Sequence, residues 1–267
     1  MDTEPDRDRP IIGVIDSGIG GLSVVLEICK RLPNHSIRYI GDSSWCPYGN
    51  KSPEQIQQRT ATATEKLISM GAECIVIACN SATIHAIEYL RAHFPLPFVG
   101  MEPAIKPACK QTKNGIVGVF ATEASIAGEK FHRLIYDHAG GVNVITRPCP
   151  KYVELVEAGI LNGPEVEDAI NEYAAPMLEA GVDTIVLGCT HYPFLLPSMK
   201  AILGNSIQLI DTGAAVAEQV ARVIGKSEPQ PAARDIFAFS TADAEKFRKL
   251  WHLLAPNLPA QCAAIKL

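Results

Sequence analysis

The chain has 267 residues, more than a single hydrophobic core usually serves, so two domains are expected. A hydrophobic content of 47%, a charged content of 20% and a net charge of −5 fit a soluble globular protein and supply no general electrostatic footprint for nucleic acid. No apolar run approaches the ~20 residues of a membrane span, and Met1 to Pro10 is charged and polar, without the apolar core of a secretory signal.

In chain order, Ile11 to Asp16 predicts a short buried strand ending on an acid. The turn Ser17-Gly18-Ile19-Gly20-Gly21 and an amphipathic helix from Leu22 to Arg31 follow. The turn lacks the glycine spacing of a dinucleotide site, and no Gly-Lys-Ser/Thr follows it. Its backbone N–H groups suit a small anion at a helix start. Ser36 to Gly41 reads as the next strand. Asp42 to Ser52, containing Trp45-Cys46-Pro47-Tyr48-Gly49-Asn50, reads as an irregular loop that can wall or cover a strand end. Pro53 opens a helix to about Met70, with Ser52 as N-cap. A strand ending before Cys79, a helix from Ser81 to His93 and a short strand near Phe98 come next.

Met101-Glu102-Pro103 is the expected crossing into a second unit. That unit reads as strand Gly115 to Phe120, helix Thr122 to Asp137, strand Gly141 to Thr146 and helix Val153 to Ala158. After a break at Gly159 to Gly163, a helix runs from Pro164 to Ala180 and contains Pro176, a kink position. A strand ending before Cys189, a helix near Pro197 to Leu203, a strand from Ile207 to Ile210 and a helix from Ala214 to Ile224 complete it. Ser227 to Arg234 is polar and Pro-rich, a linker. Asp235 to Ser240 and Gln261 to Leu267 read as edge strands around a helix from Ala242 to Leu254.

Strands alternate with helices throughout, which predicts an α/β fold of two pseudo-symmetric parallel-sheet domains with the active site in the cleft between them. The expected boundaries are 1–101 plus 212–267 for the first domain and 102–211 for the second, because the last strands need a sheet to join.

Two stretches match in register: Gly71-Ala72-Glu73-Cys74-Ile75-Val76-Ile77-Ala78-Cys79-Asn80 and Gly181-Val182-Asp183-Thr184-Ile185-Val186-Leu187-Gly188-Cys189-Thr190. Each is a short apolar run bounded by Gly and a polar break, the pattern of a buried parallel strand. A cysteine just past such a strand's carboxyl end sits where open α/β sheets bind ligands. A single cysteine there packs as a small hydrophobe as readily as it acts. Two in equivalent places, each followed by a polar cluster, favour function. Those clusters are Asn80-Ser81-Ala82-Thr83 and Thr190-His191-Tyr192-Pro193.

The eight cysteines show neither CxxC pairs nor zinc-type Cys/His spacing, which points to reduced thiols, a cytosolic location and no bound metal. Two thiols meeting across a cleft can act from opposite faces of one carbon, a thiolate removing a proton and a thiol returning one. Cys79 and Cys189 each precede a predicted helix, whose N-terminus lowers a thiol pKa. Asp16 ends its strand toward the same cleft. The amides of the Ser17 to Gly21 turn, Tyr48-Gly49, Asn80-Ser81 and Thr190-His191 are candidate donors to a substrate carboxylate.

At these residues the sequence resembles the glutamate racemases of the cofactor-independent aspartate/glutamate racemase superfamily. The resemblance rests on Asp16-Ser17-Gly18-Ile19-Gly20-Gly21, Pro47-Tyr48-Gly49, Ala78-Cys79-Asn80-Ser81-Ala82-Thr83 and Gly188-Cys189-Thr190-His191-Tyr192-Pro193, and runs from about Ile11 to Gly225. It implies proton transfer by Cys79 and Cys189, one for each enantiomer, assisted by Asp16, His191 and Glu157. It implies substrate contacts at Asp16, Ser17, Tyr48, Gly49, Asn80, Ser81, Thr83, Thr190 and His191. It also implies glutamate as substrate, no cofactor or metal, a homodimer, and D-glutamate supply for peptidoglycan. Ser81 stands where the family more often has Thr, and Trp45 where Arg is common. An aspartate or other amino-acid racemase on the same fold, a gyrase-binding protein and a dithiol redox protein are the competing readings. The last of these predicts a disulfide between Cys79 and Cys189.

Overall fold

The computed structural model describes residues 10–225 and 234–267; of the polar amino terminus and the predicted linker, only Pro10 and Arg234 are among them. Among the described residues, ten strands form two sheets in which every pairing is parallel. The first sheet contains β1 (Ile11–Asp16), β2 (Ser36–Gly41), β3 (Ala72–Ile77), β4 (Phe98–Gly100), β9 (Ile236–Ser240) and β10 (Gln261–Ala264), ordered β10-β9-β2-β1-β3-β4. The second contains β5 (Ile116–Ala121), β6 (Asn143–Pro148), β7 (Thr184–Gly188) and β8 (Gln208–Ile210), ordered β6-β5-β7-β8. The order β2-β1-β3-β4 is thus repeated by β6-β5-β7-β8, which is the pseudo-symmetry expected from the matching strands.

Period-two alternation explains why the strands read as unbroken apolar runs. In β1, Ile12 and Val14 face one core while Ile11 and Ile15 face another. In β3, Cys74 and Val76 face the first core and Ile75 and Ile77 the second. The first core continues into the other sheet through Phe120, Ile185 and Leu187, so the two halves share buried apolar surface. Val117, Val119 and Val186 line a third core on the far face of the second sheet.

The helices are α1 (Leu22–Arg31), α2 (Pro53–Ser69), α3 (Asn80–His93), α4 (Ile105–Gln111), α5 (Glu123–Ala127), α6 (Glu129–His138), α7 (Pro150–Glu157), α8 (Pro164–Glu179), α9 (Leu196–Leu203), α10 (Gly213–Ile224) and α11 (Ala244–Leu254). Among the described residues no helix is long and apolar enough to cross a membrane. α10 brings the chain back onto α1, where Arg31 Nε donates to Glu218 at 2.7 Å.

Three elements differ from expectation. α4 was not anticipated: its seven residues bury only Ile105 and Ala108, too few for a helical period to show. The predicted Thr122 to Asp137 helix is two helices parted at Gly128, where a Cβ would lie 2.3 Å from Ile84 Cγ2. β9 is an interior strand, not an edge, because it pairs with β2 on one side and β10 on the other.

Ser52 caps α2 through a reciprocal pair of bonds with Gln55. Ser52→Ala is expected to lower stability by about 1 kcal/mol, seen as a lower urea midpoint at unchanged slope.

Candidate active site

The carboxyl ends of β1, β3 and β7 meet at one crevice. Its walls are Ser17, Pro47, Tyr48, Gly49, Cys79, Asn80, Ser81, Thr122, Val153, Cys189 and His191. Most of the residues anticipated from sequence are there, drawn from both repeats. The crevice is nearly shut, with a cavity volume of about 10 Å³, on the order of one water molecule.

Both strand-end cysteines are buried free thiols. Cys79 is the N-cap of α3, and its Sγ accepts the Ala82 N–H at 3.5 Å and lies 3.8 Å from Ser17 Oγ. The expected lowering of its pKa does not occur. Burial, then the neighbouring Asp16 carboxylate, push the thiol up to about 12, outweighing the helix N–H and the Ser17 hydroxyl. Cys189 is followed by a 3-10 turn, Tyr192–Leu195, rather than directly by an α-helix.

Behind Cys189 runs a buried polar relay. His191 Nδ1 lies 3.7 Å from Cys189 Sγ, and His191 Nε2 lies 2.8 Å from Glu157 Oε1. Burial alone disfavours the imidazolium, but bonds to Cys189, Cys46 and Glu157 prevail and hold the His191 pKa well above its ordinary value. Burial likewise raises Glu157, yet its bond to and the charge of His191, with the Ile19 N–H, draw its carboxyl below the usual range. The two form an ion pair. Asp16 is fully buried and held above its usual value by that burial; it accepts from Gly18 N–H at 2.9 Å and Thr190 Oγ1 at 3.0 Å.

The glycine turn does not present its amides to the crevice in the expected way. Ile19 N–H donates to Glu157 at 2.8 Å, and Gly18 N–H is taken by Asp16. The turn does bind a carboxylate, but the protein's own. Its glycines serve close approach: a Cβ on Gly18 would fall 1.9 Å from Glu157 Oε1, and one on Gly20 2.4 Å from His191 Nδ1. Asp16, Thr190 and Glu157 support the crevice rather than wall it. Thr83 stands apart, its hydroxyl donating to Ile77 O and accepting Met101 N–H, each at 3.0 Å.

The loop after β2 is held by a residue that sequence reasoning passed over. Asp42, fully buried, accepts from Tyr48 Oη at 2.7 Å, Thr241 Oγ1 at 2.8 Å, and Arg59 Nε and Nη2 at 2.8 and 2.6 Å. The Arg59 guanidinium also lies 5.0 Å from the Trp45 ring centroid. Thr122 was also missed; its Oγ1 is 2.8 Å from Ser81 Oγ. Its signal was available: Thr122 follows β5 as Ser17 follows β1.

Two thiols, one from each repeat, bordering one crevice at facing strand ends define a two-domain α/β protein suited to acid–base chemistry on a small ligand. The family model for Asp/Glu/hydantoin racemases matches residues 12–220. Glutamate racemase of Herpetosiphon aurantiacus is 48% identical over 247 residues, 91% of this chain and 97% of that one. Glutamate racemase of Pseudomonas putida KT2440 is 46% identical over 257 residues, 92% of this chain and 96% of that one. Among solved structures, the RacE1 glutamate racemase of Bacillus anthracis superposes with a TM-score of 0.85 at 27% identity, covering 97% and 98% of the two chains. Escherichia coli glutamate racemase, in complex with L-glutamate and the activator UDP-MurNAc-Ala, gives 0.83 at 34% identity, covering 92% and 95%. The chain belongs to the Asp/Glu/hydantoin racemase family and is an isomerase.

Two expectations follow from this geometry. Gly20→Ala must displace His191, so it is expected to lower catalytic turnover at least ~10-fold while far-ultraviolet circular dichroism stays native. Glu157→Gln is expected to cost about 3 kcal/mol of stability near pH 6. Glu157 has a lowered pKa, so its share is present above about pH 4.3 and lost as pH falls through the folded value. His191 has a raised pKa, so its share is full below about pH 6.5 and lost as pH rises through the folded value. Urea unfolding should therefore show the penalty shrinking toward alkaline pH; a constant penalty would contradict the pairing.

Proposed function

We propose that this protein is a glutamate racemase that interconverts L- and D-glutamate with Cys79 and Cys189 as its two proton-transfer groups, without a cofactor. The single observation that carries the reading is that two buried free thiols from equivalent strand ends border one crevice. The names of the relatives support glutamate as the substrate.

One cysteine, as thiolate, takes the α-proton and becomes a thiol. The opposite thiol gives its proton to the other face of the carbanion and becomes a thiolate, so the reverse turn is already set. No electron leaves the protein. With Cys79 pushed up to about 12, its resting form is the thiol, the state of a donor. A substrate ammonium brought beside it would add positive charge and favour its thiolate. On the other side His191, paired to Glu157, sets an imidazolium 3.7 Å from Cys189, able to support charge there or to pass a proton. Negative charge that develops on the substrate carboxylate meets donors from Asn80, Ser81, Thr122 and the Tyr48-Gly49 backbone. The cavity of about 10 Å³ is too small for an amino acid, so the walls must part for binding and close for chemistry.

The same reading carries D-glutamate supply for peptidoglycan, a cytosolic location and a homodimer. It also carries the division into 1–101 plus 212–267 and 102–211, supported by the pairing of β9 with β2 and by α10 lying on α1.

The decisive measurement is solvent deuterium uptake at the α-carbon of each enantiomer of glutamate and of aspartate, with no added cofactor. Uptake with inversion is expected for glutamate. Cys79→Ser and Cys189→Ser should each lose about 10³-fold in both directions. Undiminished inversion in either variant refutes the two-thiol mechanism, and preference for aspartate moves the substrate assignment.

A further inference from the structure

On the side of His191 away from Cys189, the Glu157–His191 pair meets a third donor, Cys46. Cys46 Sγ is 3.6 Å from Glu157 Oε1, whose oxygen is 2.8 Å from His191 Nε2, and all three donor atoms lie within 4.8 Å of one another. They arrive from the loop after β2, the end of α7 and the turn after β7. Thiolate, imidazole and carboxylate are the ligand types of zinc. Bonds of 2.0 to 2.3 Å in a tetrahedron place such atoms about 3.3–3.6 Å apart. The Cys46–Glu157 edge already fits, and the His191–Glu157 edge needs to open by about half an ångström.

The cluster has its own entrance. Cys46 and Glu157 border a second cavity of about 250 Å³, which shares only Pro47 and Val153 with the walls of the catalytic crevice. Glu154, Glu157 and Asp243 line it against Lys246, a net negative lining that favours cations.

We propose that Cys46, Glu157 and His191 form an inhibitory site for a thiophilic divalent cation of the Zn²⁺ class, entered from this second cavity. Binding forms metal–sulfur, metal–oxygen and metal–nitrogen bonds. The Cys46 thiol proton and the proton held between Glu157 and His191 leave to solvent, and water completes the open fourth position. With its Nε2 bound to the metal, His191 can no longer exchange a proton with Glu157, and the relay behind Cys189 is blocked. Substrate still enters its own crevice, so inhibition lowers kcat rather than raising KM. Hard cations such as Mg²⁺ do not substitute. The inhibition rests on the racemase reading above; metal binding itself does not.

Co²⁺ is the probe for binding, since a thiolate ligand gives a sulfur-to-cobalt charge-transfer band in the near ultraviolet. The wild-type chain should show this band at one Co²⁺ per chain, and Zn²⁺ should abolish it; Cys46→Ser and Cys46→Ala should lack it. In the activity arm, Zn²⁺ should lower the wild-type kcat, and EDTA should restore it. Measured against its own metal-free rate, Cys46→Ala should need at least ~10-fold more Zn²⁺ for the same fractional inhibition. A band retained in both Cys46 variants, or equal Zn²⁺ sensitivity, places the metal on another thiol and overturns the proposal. Absence of any band in the wild type also overturns it. If the protein does not racemise glutamate, the cobalt arm still decides the site.

Discussion

The arrangement at the crevice depends on how closely the second half of the molecule can approach one glycine turn of the first. Glu157 reaches the Ile19 N–H, His191 lies against Gly20, Thr190 donates to Asp16, and Ser23 Oγ donates to the Thr190 carbonyl at 2.9 Å. A side chain on Gly18 or Gly20 would occupy the space those groups need. The turn therefore works as a seat for the opposite half, and the relay behind Cys189 is assembled only when that seat is filled.

Burial is the dominant electrostatic fact in this seat. It drives Cys79 and Asp16 toward their neutral forms. Where charge persists, as in His191 and Glu157, each ion is matched by the other and by further donors. That difference separates the two sides of the crevice: a protonated thiol capped by a helix on one, a thiol beside a paired imidazolium on the other. Such asymmetry suits a site that must release a proton to one face of a carbon while accepting one from the other. It also leaves the ion pair with spare coordination capacity next to Cys46, and that capacity makes the relay open to capture by a metal.

The loop between β2 and α2 shows how a wall of the crevice is made firm without regular structure. Asp42 collects a tyrosine, a threonine and both arms of an arginine, so the loop is pinned to α2 and to the segment after β9 through one buried carboxylate. Tyr48 and Gly49 thereby hold their place over the thiols. Trp45 in the same loop offers its ring to Arg59.

Much of this was legible in the order of residues alone. The apolar runs ending in Cys79 and Cys189, the Pro and Gly boundaries and the Ser52 cap are local signals, and local signals specify strands, helices and their limits. The repetition of the runs disclosed the pseudo-symmetry and hence a shared cleft. The short helix α4 and the interior place of β9 were not legible, since seven residues carry no period and a strand's neighbours are chosen by pairing across the chain. The same holds for the site's chemistry. Glu157 on its helix, Asp42 after its strand and Cys46 in its loop are ordinary in sequence and acquire roles from partners more than a hundred residues away or from other elements. The helix start beside Cys79 argued for a lowered thiol pKa, yet the burial and the Asp16 charge that reverse it exist only after folding. Sequence by itself named the groups proposed to carry the chemistry; tertiary structure decided their charge and their partners, because desolvation and close approach are properties of packed neighbours and not of the chain.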